Sequence, residues 1–227
     1  MVTERQRSIL ETLISEHIER AQPISSQLLE QFFNVSPATI RNELHELTEA
    51  GFLYQPHTSA GRVPTDKGYR FFLDALILKK NSAKKKTLQI EKNKEEDEID
   101  FLSSLLKEVS VISSNLAGLY LQERDLFWKE GWEKVLREPE FNENSLRQNF
   151  LEFLEDMERG LQDFSSDETL HIYIGKENPF SNVKDFTAIV SELNLASGKG
   201  FIALLGPKRM SYEKNLELIN EITRVLS

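Results

Sequence analysis

The chain contains no cysteine among its 227 residues. That excludes disulfides and thiolate metal sites and fits a reducing compartment. It also lacks any long apolar run: nothing approaches the roughly 20 residues needed to cross a bilayer, and the N-terminus has no signal-peptide core. A cytoplasmic location is expected. The four histidines, at 17, 45, 57 and 171, show no ligand spacing, so no metal is expected. Gly198-Lys199-Gly200 lacks the glycine spacing and the following Ser/Thr of a phosphate loop. Carboxylates are plentiful, but none is singled out as an acid–base pair. Internal repeats are absent. Neither an enzyme nor a cofactor is expected.

Negative charge is present in excess, with a net charge of −9, which at first argues against nucleic acid. Its distribution points the other way. Residues 1–86 hold 12 Lys/Arg against 10 Asp/Glu, and residues 87–227 hold 16 against 27. Between residues 61 and 86 the count is 8 basic to 2 acidic, ending in Lys84-Lys85-Lys86. Local charge, not the total, decides whether a face can displace counterions from phosphate.

Three short helices with tight turns are legible at the N-terminus. Thr3-Glu4-Arg5-Gln6 reads as a capping box, and Ile9, Leu10, Leu13, Ile14 and Ile18 form an apolar stripe behind it. Pro23 ends this region. Ser25 or Ser26 caps a second helix, with Leu28, Leu29, Phe32 and Phe33 expected to face inward and Asn34 in a left-handed turn. Ser36 caps a third, with Pro37 at the first position, where a missing N–H costs nothing. Ile40, Leu44 and Leu47 lie on one narrow arc of it, Ala38, Arg41, Asn42, His45 and Glu46 lie on the rest, and Gly51 closes it. Residues 52–55 can pair with those around Arg62-Val63 as a hairpin whose tip runs from Pro56 to Gly61. Thr65 caps a fourth helix carrying Tyr69, Phe71, Phe72, Leu76 and Ile77. A helix-turn-helix followed by a hairpin is the layout of a winged DNA-binding module.

The rest is of mixed character. Residues 81–100 are polar and charge-blocked, and read as a linker or solvated helix. Leu102, Leu105, Val109, Ile112, Leu116 and Leu119 are spaced as a heptad seam, predicting a helix that packs on another helix, in this chain or in a second subunit. Helical patterns continue through Phe127, Trp128, Trp132, Val135 and Leu136, with the two tryptophans on one face, and from Leu146 to Leu161. Residues 170–174 then alternate as a strand. Residues 185–195 and 201–205 are further apolar stretches around the Ser197-Gly198-Lys199-Gly200 turn, and a last helix carries Leu216, Ile219 and Ile222. A small antiparallel sheet with helices on one side is expected.

The third helix carries the chemistry for reading DNA. Arginine can bond guanine O6 and N7 together, and asparagine adenine N6 and N7. That makes Arg41 and Asn42 candidates, with Ala38 and His45 beside them. Ser36 and Thr39, near the helix N-terminus, can bond phosphate. One turn beyond Arg41 stand Leu44 and His45, so an intrahelical ion pair is unavailable to it. On the hairpin, Arg62 can enter a minor groove, clamp phosphate or bond its own loop carbonyls. His57 reads mainly as a turn residue, and Lys67 and Arg70 as phosphate contacts.

Residues 35–42 (Val-Ser-Pro-Ala-Thr-Ile-Arg-Asn) and 55–70, from Gln55-Pro56-His57 through Gly61-Arg62-Val63-Pro64 to Gly68-Tyr69-Arg70, closely resemble the HrcA family of heat-inducible transcription repressors. Glu138-Pro139-Glu140-Phe141, Ile174-Gly175-Lys176-Glu177-Asn178-Pro179 and residues 205–212 look like the same family's C-terminal landmarks. Family members are usually longer, and the missing length falls between Leu119 and Trp128. The resemblance implies a winged helix followed by a GAF-like domain, and a homodimer on double-stranded DNA at an inverted-repeat operator named CIRCE, upstream of chaperone genes. It also implies a GroEL-type chaperonin that keeps the repressor active.

The fold expected is therefore α+β: a winged helix-turn-helix over residues 1–80, a charged linker over 81–100, and a dimerisation domain, an abbreviated GAF-like α+β unit, over 101–227. Leu102, Leu105, Val109, Ile112, Leu116 and Leu119 would form the dimer seam. The alternatives are a small-molecule sensor in the C-terminal part and a protein-interaction module that uses the winged helix.

Overall fold

In the computed structural model, residues 2–79, 97–166, 168–195 and 197–226 are described. The chain divides into two compact units, residues 1–82 and 83–227.

In the first unit, α1 (Glu4–Arg20) begins at the expected capping box: Gln6 N donates to Thr3 Oγ1 at 3.2 Å, and Thr3 N donates to Gln6 Oε1 at 3.0 Å. Its Ile9, Leu10, Leu13 and Ile14 are fully buried, each worth about 1.5–3 kcal/mol of transfer free energy. Next comes α2 (Ser26–Leu29), capped by Ser25, then α3 (Pro37–Glu49), capped by Ser36 with Pro37 at its start. Ile40, Leu44 and Leu47 of α3 turn inward. Strands β1 (Leu53–Tyr54) and β2 (Val63–Pro64) pair antiparallel, and α4 (Asp66–Lys79) follows with Gly68 N donating to Thr65 Oγ1. The Tyr69 hydroxyl lies 2.8 Å from His17 Nδ1, joining α4 to α1 through a buried polar contact.

The structure departs from two local expectations. Phe32 does not face inward but is 50% exposed, because α2 ends at Leu29 and the following turn carries Phe32 away from the core. Asn34 is not among the residues with positive φ. Left-handed conformations occur instead at Ala21 (φ 54), whose N–H closes α1 onto His17 O, and at Gly51 (φ 77) after α3.

The second unit is built on five strands. After α5 (Glu98–Ser113) come β3 (Leu116–Leu121), β4 (Leu126–Glu130), the short α6 (Trp132–Val135), α7 (Asn144–Gln162), β5 (Leu170–Ile174), β6 (Phe186–Leu195), β7 (Gly198–Pro207) and α8 (Tyr212–Leu226). The sheet order is β4-β3-β7-β6-β5, antiparallel throughout. Strand alternation sends Tyr120, Phe127, Phe186, Val190, Phe201 and Ala203 to one face, where Phe150, Phe153, Leu154 and Met157 of α7 cover them. The other face carries α5 and α8: α8 packs on β6, α5 on β3, and Thr187 Oγ1 lies 3.2 Å from the Tyr212 hydroxyl. Helices thus cover both faces, not one. Among the described residues, no helix is long and apolar enough to cross a membrane.

The heptad seam does not lie on one helix. Ser114 takes a left-handed conformation (φ 57) and ends α5. Asn115 then folds back on Ser113, its N donating to the Ser113 hydroxyl at 3.2 Å and its Nδ2 to the Ser113 carbonyl at 2.8 Å. Such local side-chain bonds offer the backbone an alternative to the helix. Leu116 and Leu119 are therefore strand residues. Leu102, Leu105, Val109, Leu116 and Leu119 are buried by the chain's own packing, and Ile112 is half-buried. The helix read through Phe127 and Trp128 is also a strand, β4, so Trp128 and Trp132 do not share a helical face. The tight turn 122–125, with Asp125 left-handed (φ 48), joins β3 to β4. Of the expected linker, residues 81–96 lie outside the described residues, as does the Lys84-Lys85-Lys86 cluster; Glu98, Ile99 and Asp100 are already helical.

Two of the C-terminal landmarks meet in space. Arg209 Nε donates to Glu140 Oε1 at 2.5 Å, and its Nη2 to Glu140 Oε2 at 2.9 Å and to Glu138. Burial by itself would lower the arginine's pKa; the bonds and charges of Glu140 and Glu138 outweigh it and raise the value. On β3, burial and a 2.8 Å hydrogen bond to Asp125 push the Tyr120 phenol up from 10.0 to about 12. A raised phenol favours the folded state only while protonated. Its contribution is complete below pH 10 and is lost as pH rises through about 12. An alkaline titration of tyrosinate absorbance should show a late component that disappears in Tyr120→Phe; an unchanged titration would contradict this placement.

Candidate nucleic-acid interface

The outward arc of α3 carries Ala38, Arg41, Asn42 and His45, all exposed. Among the described residues, no side chain bonds to the last three. Glu46, on the same arc, is held back by Gln6 Nε2 at 2.6 Å, and the buried Glu43 by Arg5 Nε at 2.5 Å. Both contacts fasten α3 to α1: the Arg5 guanidinium offsets the charge of Glu43, while the neutral Gln6 amide fixes the direction of Glu46 without cancelling its charge. Sequence reasoning missed both pairs; their only signal is acids three apart on α3 matched by adjacent Arg5 and Gln6 on α1.

Ser36 and Thr39 are engaged with each other. Thr39 N donates to Ser36 Oγ at 3.2 Å, and the two hydroxyls lie 2.9 Å apart. At the wing, Gln55 Nε2 donates to the carbonyls of Thr58 (2.9 Å) and Ala60 (2.8 Å), closing the tip, while His57 Nδ1 sits 3.2 Å from Ser59 Oγ. His57 is therefore built into the turn.

Arg62 lies at the wing's base, not at its tip. It exchanges both backbone hydrogen bonds with Ile24, at 2.9 and 2.8 Å, stitching the wing to the α1–α2 connection. Only glycine fits next to this bridge: a Cβ on Gly61 would lie 2.3 Å from Ile24 O. The Arg62 side chain is half-buried, and its Nε donates to Thr48 Oγ1 at 3.0 Å, while Thr48 itself donates to Leu44 O at 2.7 Å. Its partner is thus on α3, and not the loop carbonyls considered from sequence. Lys67 Nζ caps the C-terminal end of α3 at Ala50 O, 2.7 Å away, and stands 4.3 Å above the Phe52 ring. Arg70 faces Asp74 at 3.8 Å. The structure thus brings Arg41 and Arg62 to one cavity between α3 and the wing, leaves Asn42 and His45 exposed on α3, and gives Lys67 and Arg70 bonds within the fold. Among the described residues, no cluster of three or more His, Asp or Glu could hold a metal ion.

These elements define a winged helix-turn-helix module joined to an α+β unit with a five-stranded antiparallel sheet of GAF-like type. Residues 5–64 match the model of a DeoR-like helix-turn-helix domain, and residues 69–216 match that of the HrcA protein C-terminal domain. The chain belongs to the HrcA family. A protein of Natranaerobius thermophilus named heat-inducible transcription repressor HrcA is 29% identical over 328 residues of alignment, covering 98% of this chain and 95% of that one. That alignment is longer than this chain, so the relative carries segments that this chain lacks. A protein of the same name from Acetivibrio thermocellus is 43% identical over 115 residues, which is 50% of this chain and 32% of that one. A crystal structure described as a hypothetical protein at 2.2 Å resolution shares the fold, with TM-score 0.80, 20% identity and coverage of 100% of this chain and 98% of that one.

Proposed function

We propose that this protein is a sequence-specific transcriptional repressor of chaperone genes, which binds an inverted-repeat operator of CIRCE type as a homodimer. The observation that carries the reading is the outward arc of α3. Arg41, Asn42 and His45 are exposed and unbonded among the described residues, while Glu43 is ion-paired with Arg5 of α1 and Glu46 is hydrogen-bonded by Gln6 of α1. A helix with such an open donor face, standing beside a wing, suits a major groove, and the names of the relatives supply the regulatory role. Asn42 carries the donor–acceptor pair that matches adenine N6 and N7. The protein acts by occupying DNA and not by turnover. Two protomers place their reading helices about 34 Å, or a multiple of it, apart, which demands a palindromic site. The dimer contact is not assigned to Leu102, Leu105 and Val109, whose side chains this chain's own core covers. A GroEL-type chaperonin is the proposed partner that keeps the repressor active.

A gel-shift series with an inverted-repeat operator and a scrambled duplex of equal length tests this. The operator should be preferred, and Asn42→Ala should lose about 1–3 kcal/mol of that preference, since one bidentate base contact disappears. Equal affinity for both duplexes would refute the repressor reading.

A further inference from the structure

Between α2, α3 and the wing lies an open cavity of about 330 Å³. Its wall includes Ile24, Ser25, Arg41, Leu44, Gln55 and Arg62, and none of its lining residues is a carboxylate. We infer that this cavity is a phosphate pocket, in which the guanidinium groups of Arg41 and Arg62 hold one phosphodiester of the DNA backbone. The inference rests on the DNA-binding reading and sharpens it: Arg41 belongs to the backbone clamp, and base reading falls to Asn42 with His45 beside it.

Charge and geometry both favour an anion here. Two guanidiniums share one cavity, and Arg41 has no acidic partner among the described residues. A pair of like charges held together without a counter-ion attracts an anion, and guanidinium forks match phosphate oxygens two at a time. Arg62 is pre-aimed. Thr48 takes its Nε–H at 3.0 Å and is itself fixed by its bond to Leu44 O, while the Ile24 bridge fixes the arginine's backbone. Among the described residues, that leaves the Nη groups for a ligand. Ser25 Oγ accepts from Leu28 N at 3.2 Å, so its own O–H remains available to donate. Gln55 Nε2 is engaged in closing the wing tip and only shapes the wall. Leu44 and Ile24 supply an apolar floor that lowers the local dielectric and strengthens the charge contact. A free anion would meet the same two arginines. The DNA backbone is the source that also places Asn42, the next residue on α3, against a base edge.

The test uses the full chain and two readouts. First, the salt dependence of duplex binding is measured for wild type, Arg41→Gln and Arg62→Gln. Each variant should weaken operator and scrambled duplex by the same factor and lower the slope of log K against log salt by about 0.9, the signature of one lost phosphate contact. Second, inorganic phosphate is titrated without DNA while the arginine Nε–H resonances are followed by NMR. Saturable shifts of both Arg41 and Arg62 are expected, and loss of both in either variant. Thr48→Val should reproduce the Arg62 defect with an unchanged thermal midpoint, and Thr48→Ser should restore it, marking Thr48 as a positioning residue. Arg41 is exposed, so Arg41→Gln keeps the test alive if an Arg62 variant fails to fold. An Arg41→Gln protein that keeps its salt slope but loses its operator preference overturns the pocket and returns Arg41 to base reading. Phosphate shifts that saturate but ignore both variants assign the anion elsewhere and overturn it too. A wild type without operator preference is a different failure, that of the repressor reading itself.

Discussion

Replacing Phe186 by alanine should cost the C-terminal unit about 3–5 kcal/mol, the range for deleting a buried phenyl ring that the surroundings cannot refill. The ring is 1% exposed and meets three others: Phe150 at 4.9 Å, Phe153 at 5.3 Å and Phe141 at 5.8 Å between centroids. Those partners come from α7 and from the turn at residues 139–142, so the loss strikes the joint between helix and sheet. Stability of this size is a large part of what an ordinary domain has, about 5–15 kcal/mol. Denaturant unfolding followed by tryptophan fluorescence should show the C-terminal transition moved strongly to lower denaturant, since Trp128 and Trp132 both lie in that unit. The N-terminal unit should keep its helical signal. A shift below about 1 kcal/mol would mean that the aromatic cluster repacks freely, contrary to interiors being close-packed.

The second large effect is expected at Gly61→Ala. The added methyl would meet backbone, not a yielding side chain, at 2.3 Å from Ile24 O and 2.8 Å from Ser25 N. Relief requires the wing to swing away and both Ile24–Arg62 backbone hydrogen bonds to break, each worth about 0.5–1.5 kcal/mol net. Arg62 then leaves its place beside Thr48. A loss of at least about tenfold in DNA affinity should follow, since each 1.4 kcal/mol is a factor of ten. The helices of the N-terminal unit should still form, as their caps and core lie elsewhere. Normal DNA binding by this variant, measured by fluorescence anisotropy beside a circular-dichroism control, would show that the bridge does not set the wing.

Much of the N-terminal unit was legible because its signals are local. Ser36, Pro37 and the arc of Ile40, Leu44 and Leu47 announce α3 without any distant contact, and the residues that meet DNA in the proposed function share that helix. The pairing of Arg62 with Thr48 was hidden, since nothing in a sequence tells which acceptor an arginine chooses fourteen residues away. In the C-terminal unit the failures have one cause. Leu116–Leu121 is a strand buried on both faces, and such a strand loses its two-residue alternation and reads as a continuous apolar run. Its leucines happen to continue the three-four spacing of α5, and only the polar stop at Ser113–Asn115 separates the two. Strand β4 was missed for a related reason: Phe127 and Trp128 point to opposite faces, both covered in part, so no polar beat marks the pleat. The peripheral β5, by contrast, showed its alternation openly.

The bond from Arg62 to Thr48 has a further bearing on energetics. Because it links the wing to α3, and the Ile24 bridge ties the same residue to the opening of α2, three segments distant in sequence form one stiff surface. A stiff surface forfeits little conformational freedom when it docks. Its free energy is also indivisible: substitutions in wing and helix should show strong pairwise coupling in a double-mutant cycle, so that losing either anchor sacrifices much of what the other contributes.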